Sequence, residues 1–194
     1  MAMDRITIAF WALVLGLITA AMFFGVGTWR QQNAQQQRDA KLDSGDVVQL
    51  LKVIDGDTLV VQKEGQGAAT VRLLGIKTFE SKHGKDSAAL YGRAAEEALQ
   101  RLVVDKPVRV LMNNPPRDRH GRTLATLYVG DQDVGLALVS QGHALVYSVY
   151  PFASMPVYLQ QQQQARAANL GLWADSGVSA RAEGMIRDWA RGVQ

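Results

Sequence analysis

The sequence predicts an α+β domain, a five-stranded β-barrel of the OB type with three helices, preceded by one transmembrane helix. Three observations predict it. Residues 6–29 form an uncharged apolar run of 24 residues, residues 47–76 hold three β-rich stretches joined by tight turns, and a helix-periodic stretch then separates these from two further strands. The chain has 194 residues, enough for one domain with a core and appendages. It has no cysteine, which excludes a disulfide framework and thiolate metal sites. A net charge of +3 and a pI near 9.3 fit a polyanionic partner without requiring one.

From the N-terminus, Ile6 to Trp29 contains no charge. As a helix it would extend about 36 Å, enough for a hydrocarbon core of about 30 Å. Phe10, Trp11 and Trp29 suit the interfaces. The run is longer than the apolar core of a cleaved signal peptide, about 7–15 residues, and lacks a good cleavage site. Residues 1–29 are therefore expected to be a retained anchor contacting the lipid bilayer through residues 6–29. Ala12, Gly16 and Ala20 stand four apart, as helix-packing or ordinary lipid-facing positions do. Arg5 precedes the span and Arg30, Arg38 and Lys41 follow it, a weak bias against exporting what lies beyond. Residues 30–45 are polar and Gln-rich, the composition of a stalk.

The compact domain is expected over residues 46–174. Val47 to Ile54 is apolar and β-branched, Asp55-Gly56 signals a hairpin turn, and Thr58 to Gln62 returns. A second turn at Gly65 to Gly67 leads to a third strand, Thr70 to Ile76. After a loop, Ser87 to Val104 shows helical spacing with Ser87 as N-cap. Pro107 to Met112 and Arg122 to Val129 read as strands around a Pro-rich charged loop. Val134 to Gln141 and Gln160 to Asn169 read as helices. Five strands with a helix between the third and fourth match an OB barrel. In the tail, residues 175–194, Met185, Ile186, Trp189 and Val193 share one helical face, able to dock on the domain or on a partner.

Four charged side chains stand out within residues 55–122: Asp57, Arg72, Glu80 and Arg122. Phosphodiester hydrolysis builds negative charge on phosphate oxygens, which fixed cations offset. An arginine fork meets two phosphate oxygens at once, a carboxylate can bind a hard metal, and another can take a proton from water. Each residue also has a plainer reading: Asp57 as turn chemistry, Arg72 as a partner of Glu80, Arg122 as a surface cation. His83, His120 and His143 show no ligand spacing, and no P-loop, G-x-S-x-G or H-E-x-x-H motif is present.

An ordered set of motifs runs through the chain: Val-Ile-Asp-Gly-Asp-Thr at 53–58, Val-Arg-Leu-Leu-Gly-Ile at 71–76, Thr78 to Glu80, Tyr91-Gly92, Asp118 to Arg122, Leu136 to Gly142 and Asn169 to Trp173. With this set, residues 47–173 resemble the staphylococcal nuclease (thermonuclease) family, whose domain is an OB barrel with three helices. The resemblance implies hydrolysis of DNA and RNA with calcium. It implies that Asp57 and the Thr78 carbonyl ligate calcium, that Arg72 and Arg122 bind the scissile phosphate and that Glu80 is the general base. By position, Tyr150 would lie beside a bound nucleotide and Arg119 near a terminal phosphate, while Ser148 replaces a second tyrosine.

Lys77 departs from that pattern, standing where the family usually has a second calcium carboxylate, and Phe79 replaces a usual proline. One repelling charge at about 4 Å costs about 4 kcal/mol at an effective dielectric near 20. Lys77 either weakens calcium binding, takes over the metal's role by contacting phosphate itself, or leaves a silent binding domain. The first expectation is a membrane-anchored phosphodiesterase acting on DNA or RNA with little sequence specificity. Its domain would be periplasmic or otherwise extracytoplasmic, since an unspecific nuclease beside its own genome is damaging. The alternative is a catalytically inactive component of an envelope complex for DNA transfer or secretion, with homo-oligomer or envelope partners. A third is a single-strand binder that stacks bases on Tyr150.

Overall fold

The computed structural model of the protein describes residues 11, 14–17, 40–81, 86–118 and 120–192. The chain divides into two compact units, Met1–Asp39 and Ala40–Gln194. In the first, Trp11 and residues 14–17 are helical. The rest of the predicted span at 6–29, the Gln-rich stretch 31–39, His83 and Arg119 lie outside the described residues. Among the described residues, no helix is long and apolar enough to cross a membrane.

The second unit is α+β. Its elements are β1 (Val47–Asp55), β2 (Thr58–Lys63), β3 (Ala68–Leu73), β4 (Ile76–Lys77), α1 (Ser87–Val103), β5 (Val108–Arg117), β6 (Thr123–Val129) and β7 (Gln132–Asp133). There follow α2 (Val134–Ser140), β8 (Leu145–Val146), α3 (Met155–Ala167), a 3-10 turn (Gly171–Ala174) and α4 (Ser176–Gly192). The main sheet has the order β3-β2-β1-β5-β6-β7, and β3 also pairs with β6. The pairings of β1, β2, β3, β6 and β5 therefore return on themselves. Only the β3–β6 pairing in that circuit is parallel. β4 and β8 form a separate two-stranded sheet.

The period-two pattern of the strands explains which face they bury. Leu59 and Val61 of β2, Ala69, Val71 and Leu73 of β3, and Ala125 and Leu127 of β6 point into the main core, where α1 adds Ala98, Leu99 and Val103. Of the alternate positions, Val60, Thr70, Arg72, Leu124 and Thr126 are partly buried, Thr58 is buried and Gln62 is exposed.

Several elements depart from the sequence expectation, each for a local reason. α1 is capped by Asp86 rather than Ser87, its carboxylate accepting from the Ala89 N–H at 3.2 Å. β5 runs on through Pro115 and Pro116 to Arg117. The prolines are tolerated because the ladder with β6 is irregular between Met112 and Arg117, so the missing N–H groups cost no regular pairing. α3 starts at Met155, five residues before the expected start, with Pro156 in its first turn, where a missing N–H is harmless. The unit begins at Ala40, whose N–H donates to Ala68 O at 2.8 Å, and Leu42 is buried in the main core. At the other end α4 docks on the domain. It buries Val178 and Ala182 in a second cluster with Phe79, Leu172 and Trp173, and lays Met185, Ile186 and Trp189 against it.

Candidate active site at the Asp57–Arg72 pair

β1 and β2 are joined by Gly56 and Asp57, and the turn is pressed against its surroundings. A Cβ on Gly56 would stand 2.5 Å from the Ala95 Cβ of α1 and 3.0 Å from the Thr78 Cγ2. Only glycine fits that approach. The Asp57 N–H donates to Asp55 Oδ1 at 3.2 Å, and the Leu73 N–H donates to the Asp57 carbonyl at 2.9 Å. Arg72 lies opposite Thr58 in the β2–β3 register, so the turn and the end of β3 are neighbours.

Both Asp57 carboxylate oxygens are taken. Arg72 Nη1 lies 2.7 Å from Oδ1, which also accepts from the Thr58 hydroxyl at 3.0 Å, and the Thr78 N–H donates to Oδ2 at 3.1 Å. Asp57 is 2 % exposed and the Arg72 side chain 11 %. The guanidinium also donates to the carbonyls of Asp57 at 3.1 Å and Ile76 at 2.7 Å. A largely buried cation is thus held by one carboxylate and two carbonyls, with part of its N–H fork unassigned among the described residues.

The electrostatics of the two aspartates diverge. Burial pushes the Asp55 carboxyl up to about 6, helped by its hydrogen bond with Asp57 and that neighbour's charge. Burial also works to raise Asp57, but Arg72, a hydrogen bond from Asp55, Lys77 and the Thr78 N–H outweigh it and hold Asp57 below the ordinary carboxylate value. One carboxyl of the pair therefore keeps a proton more readily while the other stays charged.

Of the remaining predicted residues, Thr78 touches this pair directly and Lys77 acts on it through its charge. Thr78 is buried and meets Asp57 through its N–H. Lys77 is half-buried in β4 opposite Leu145, with its charge felt at Asp57 and no ion pair among the described residues. Glu80 is exposed and makes no hydrogen bond or ion pair among the described residues. Arg122 precedes β6. Arg72 pairs with Leu124 across β3–β6, and Arg122 stands two residues before Leu124, just ahead of that seam. Its Nε and Nη2 lie 2.7 and 2.6 Å from Asp118 Oδ2. Burial raises the Asp118 carboxyl, but Arg122 and the N–H groups of Arg122 and His120 hold it low. Tyr150 is 69 % exposed, its ring 6.0 Å from that of Tyr147.

Three of these features carry no role in the sequence reading. Asp55 stands in the same Asp-Gly-Asp as Asp57, a carboxyl pair visible in the motif itself. Asp118 opens the Asp-Arg-His-Gly-Arg turn whose last residue it holds. Arg72 pairs with Asp57 rather than with Glu80.

Asp57 and Thr78, expected to hold calcium, do meet, but the donor set falls short of a calcium site. Calcium takes six to eight oxygen ligands. Here both oxygens of Asp57 are engaged, and Lys77 adds a cation nearby. Among the described residues no three His, Asp or Glu side chains group as metal ligands.

The arrangement can grip an anion with preset guanidinium groups, and the chain is similar to known proteins. A family model described as "Staphylococcal nuclease homologue" matches residues 70–175, more than half of the chain. An "Uncharacterized endonuclease" of Haemophilus influenzae is 36% identical over 127 residues, 66% of this chain and 66% of that protein. A "Thermonuclease" of Staphylococcus intermedius is 32% identical over 63% of this chain and 73% of its own length. A "Protein ParB" of Escherichia coli is 32% identical over 66% and 72%. The chain belongs to the staphylococcal nuclease homologue family.

Proposed function

We propose that the protein is a phosphodiesterase that hydrolyses DNA or RNA with little sequence specificity, on an OB-type barrel tethered by a membrane span at residues 6–29 and facing the extracytoplasmic side. The observation that carries this reading is the preset Arg72, held by Asp57 and two carbonyls on the outer face of β3. A cation already in place stabilises developing charge without reorganisation at the moment of reaction. Names of relatives that contain "endonuclease" and "Thermonuclease" support the same chemistry.

In the proposed reaction the unassigned part of the Arg72 fork and the Arg122 guanidinium bind the non-bridging oxygens of the scissile phosphate. Glu80, exposed on the loop after β4, takes the proton of a water whose oxygen attacks phosphorus. The bond to the leaving oxygen breaks, and that oxygen takes a proton from solvent. Lys77 supplies positive charge at the position where the family usually has a metal carboxylate, and Arg119 and Tyr150 extend the grip along the strand. No step passes through calcium, because among the described residues no three His, Asp or Glu side chains group to hold it.

The test is cleavage of single-stranded DNA, duplex DNA and RNA by the full-length protein with calcium or with a chelator. Cleavage that survives the chelator and falls about 10²–10⁴-fold in Glu80→Gln supports the reading. Cleavage only with calcium would mean that Asp57 and Thr78 open to a metal after all. The saturation of Asp57 also favours a second reading, a silent binding component of an envelope complex. Under that reading the protein binds oligonucleotides without turnover, and Lys77→Asp recovers calcium-dependent cleavage.

A further inference from the structure

α4 lies wholly beyond residues 70–175, the stretch the family model matches, yet it packs against the loop that carries Glu80. Phe79 is 7 % exposed and sits in the second cluster with Val178 and Ala182 of α4. The Arg181 guanidinium of α4 lies 5.4 Å above the Phe79 ring, and its Nη1 is 2.9 Å from the Asp86 carboxylate. Asp86 caps α1, so one arginine ties α4 to the loop and to the helix that follows it.

The loop is held on its other side by α1. A Cβ on Gly92 would stand 2.7 Å from the Phe79 carbonyl oxygen and 2.8 Å from the Glu80 carbonyl carbon and the Ser81 nitrogen. The helix therefore touches the loop backbone directly. The Ser81 hydroxyl donates to the Glu96 carboxylate of α1. Phe79 is gripped by α4 and Ser81 by α1, while the Glu80 side chain between them is exposed and makes no hydrogen bond or ion pair among the described residues.

We infer that Phe79 and Arg181 are positioning residues, and that α4 is a strut that sets where the Glu80 carboxylate stands. The catalytic part of this inference rests on the phosphodiesterase reading above. A loop that lined a metal would be tied through its ligands. Among the described residues no group of His, Asp or Glu side chains supplies that tie, and packing against α1 and α4 holds the loop instead. A general base displaced by about 1 Å can cost about 10²-fold in rate, so a strut remote from the phosphate reaches the chemistry through geometry alone.

The experiment compares the full-length parent with Arg181→Ala, Arg181→Lys and Phe79→Leu. It reads hydrogen exchange in a peptide covering residues 78–81 and cleavage of a DNA oligonucleotide. In Arg181→Ala, exchange of these amides is expected to speed up about tenfold while the amides of β1–β3 keep their rates. The same variant should lose about tenfold in kcat with KM within about twofold, and Arg181→Lys, which keeps the cation, should recover much of both. Phe79→Leu, with an apolar residue retained, is expected to fold and to show the same split. Unchanged exchange at 78–81, or acceleration spread evenly over β1–β3, overturns the strut. So does a loosened loop with unchanged kcat. A parent that cleaves nothing refutes the phosphodiesterase reading and not the strut, which the exchange rates still decide.

Discussion

Replacing Arg72 by methionine should cost more stability than any single surface contact. At 2.7 Å and an effective dielectric near 20, Arg72 and Asp57 attract by about 6 kcal/mol. Withdrawing each ion from water costs several kcal/mol, so the intact pair is close to neutral. Removing the cation alone leaves Asp57 buried and charged, a loss of about 3–5 kcal/mol. Asp57→Asn/Arg72→Met removes both ions and forfeits mainly the hydrogen bonds to the Asp57 and Ile76 carbonyls, about 1 kcal/mol each. The double variant should therefore be more stable than Arg72→Met. pH adds a signature. In the parent the Asp57 carboxyl is held below 3.8, so its contribution is present above that value and is lost as pH falls through the folded value. Without Arg72 burial loses its main opponent and the carboxyl rises, so the variant loses stability as pH climbs above 3.8. The gap between parent and variant should widen from pH 4 to pH 7. Urea unfolding followed by tryptophan fluorescence at both pH values measures it. A loss under about 1 kcal/mol at pH 7, an equal gap at both pH values, or a double variant as unstable as the single would refute the reasoning.

Other outcomes follow from the same geometry. Asp55→Asn should flatten the pH dependence of stability between 3.8 and about 6, because the raised Asp55 carboxyl gives stability that is full below 3.8 and lost by about 6. Thermal melts at pH 4.5 and 7 would show it, and a parent melting temperature indifferent to pH in that window would contradict it. Leu42→Ala should cost about 2–5 kcal/mol, since Leu42 lies in the main core. A cost under 1 kcal/mol by chemical denaturation would detach residues 40–45 from the domain. Gly92→Ala should destabilise by about 1–3 kcal/mol, because its Cβ meets loop backbone rather than a pliable side chain. Exchange rates at residues 78–81 should rise with it, and unchanged rates would count against the close approach.

The alternation of Leu59, Val61, Val71 and Leu73 made β2 and β3 legible, and the Asp-Gly signal located the turn between β1 and β2. β4, β7 and β8 were not legible, because two residues show no period. The first turn of α3 was hidden by Pro156, which reads as a breaker unless the helix start is already known. Prolines concealed the far half of β5 for the same reason. At the site, residue types could be read from the motifs but partners could not. Nothing in the spacing of Asp57, Thr58, Arg72 and Thr78 says that one carboxylate takes three donors and leaves few oxygens for a metal. Arg181 was beyond reach, since its partners Phe79 and Asp86 lie about a hundred residues away in sequence.

The parallel pairing of β3 with β6 has a consequence for the order in which the chain can fold. Val71 meets Thr123 across that seam, so the circuit of strands waits for a segment made about fifty residues after β3. At about 5–20 residues per second of synthesis, the β3 edge of the β1–β2–β3 meander stands unpaired for roughly 3–10 s, while the β1 edge waits only for β5, about 35 residues on. Unpaired edges recruit other strands, and β1 shows Val47 and Leu51 to solvent even in the finished domain. The nascent meander is therefore the stage at which a chaperone has most to shield, and crowding of unfinished chains should cost yield before any change at the site costs activity.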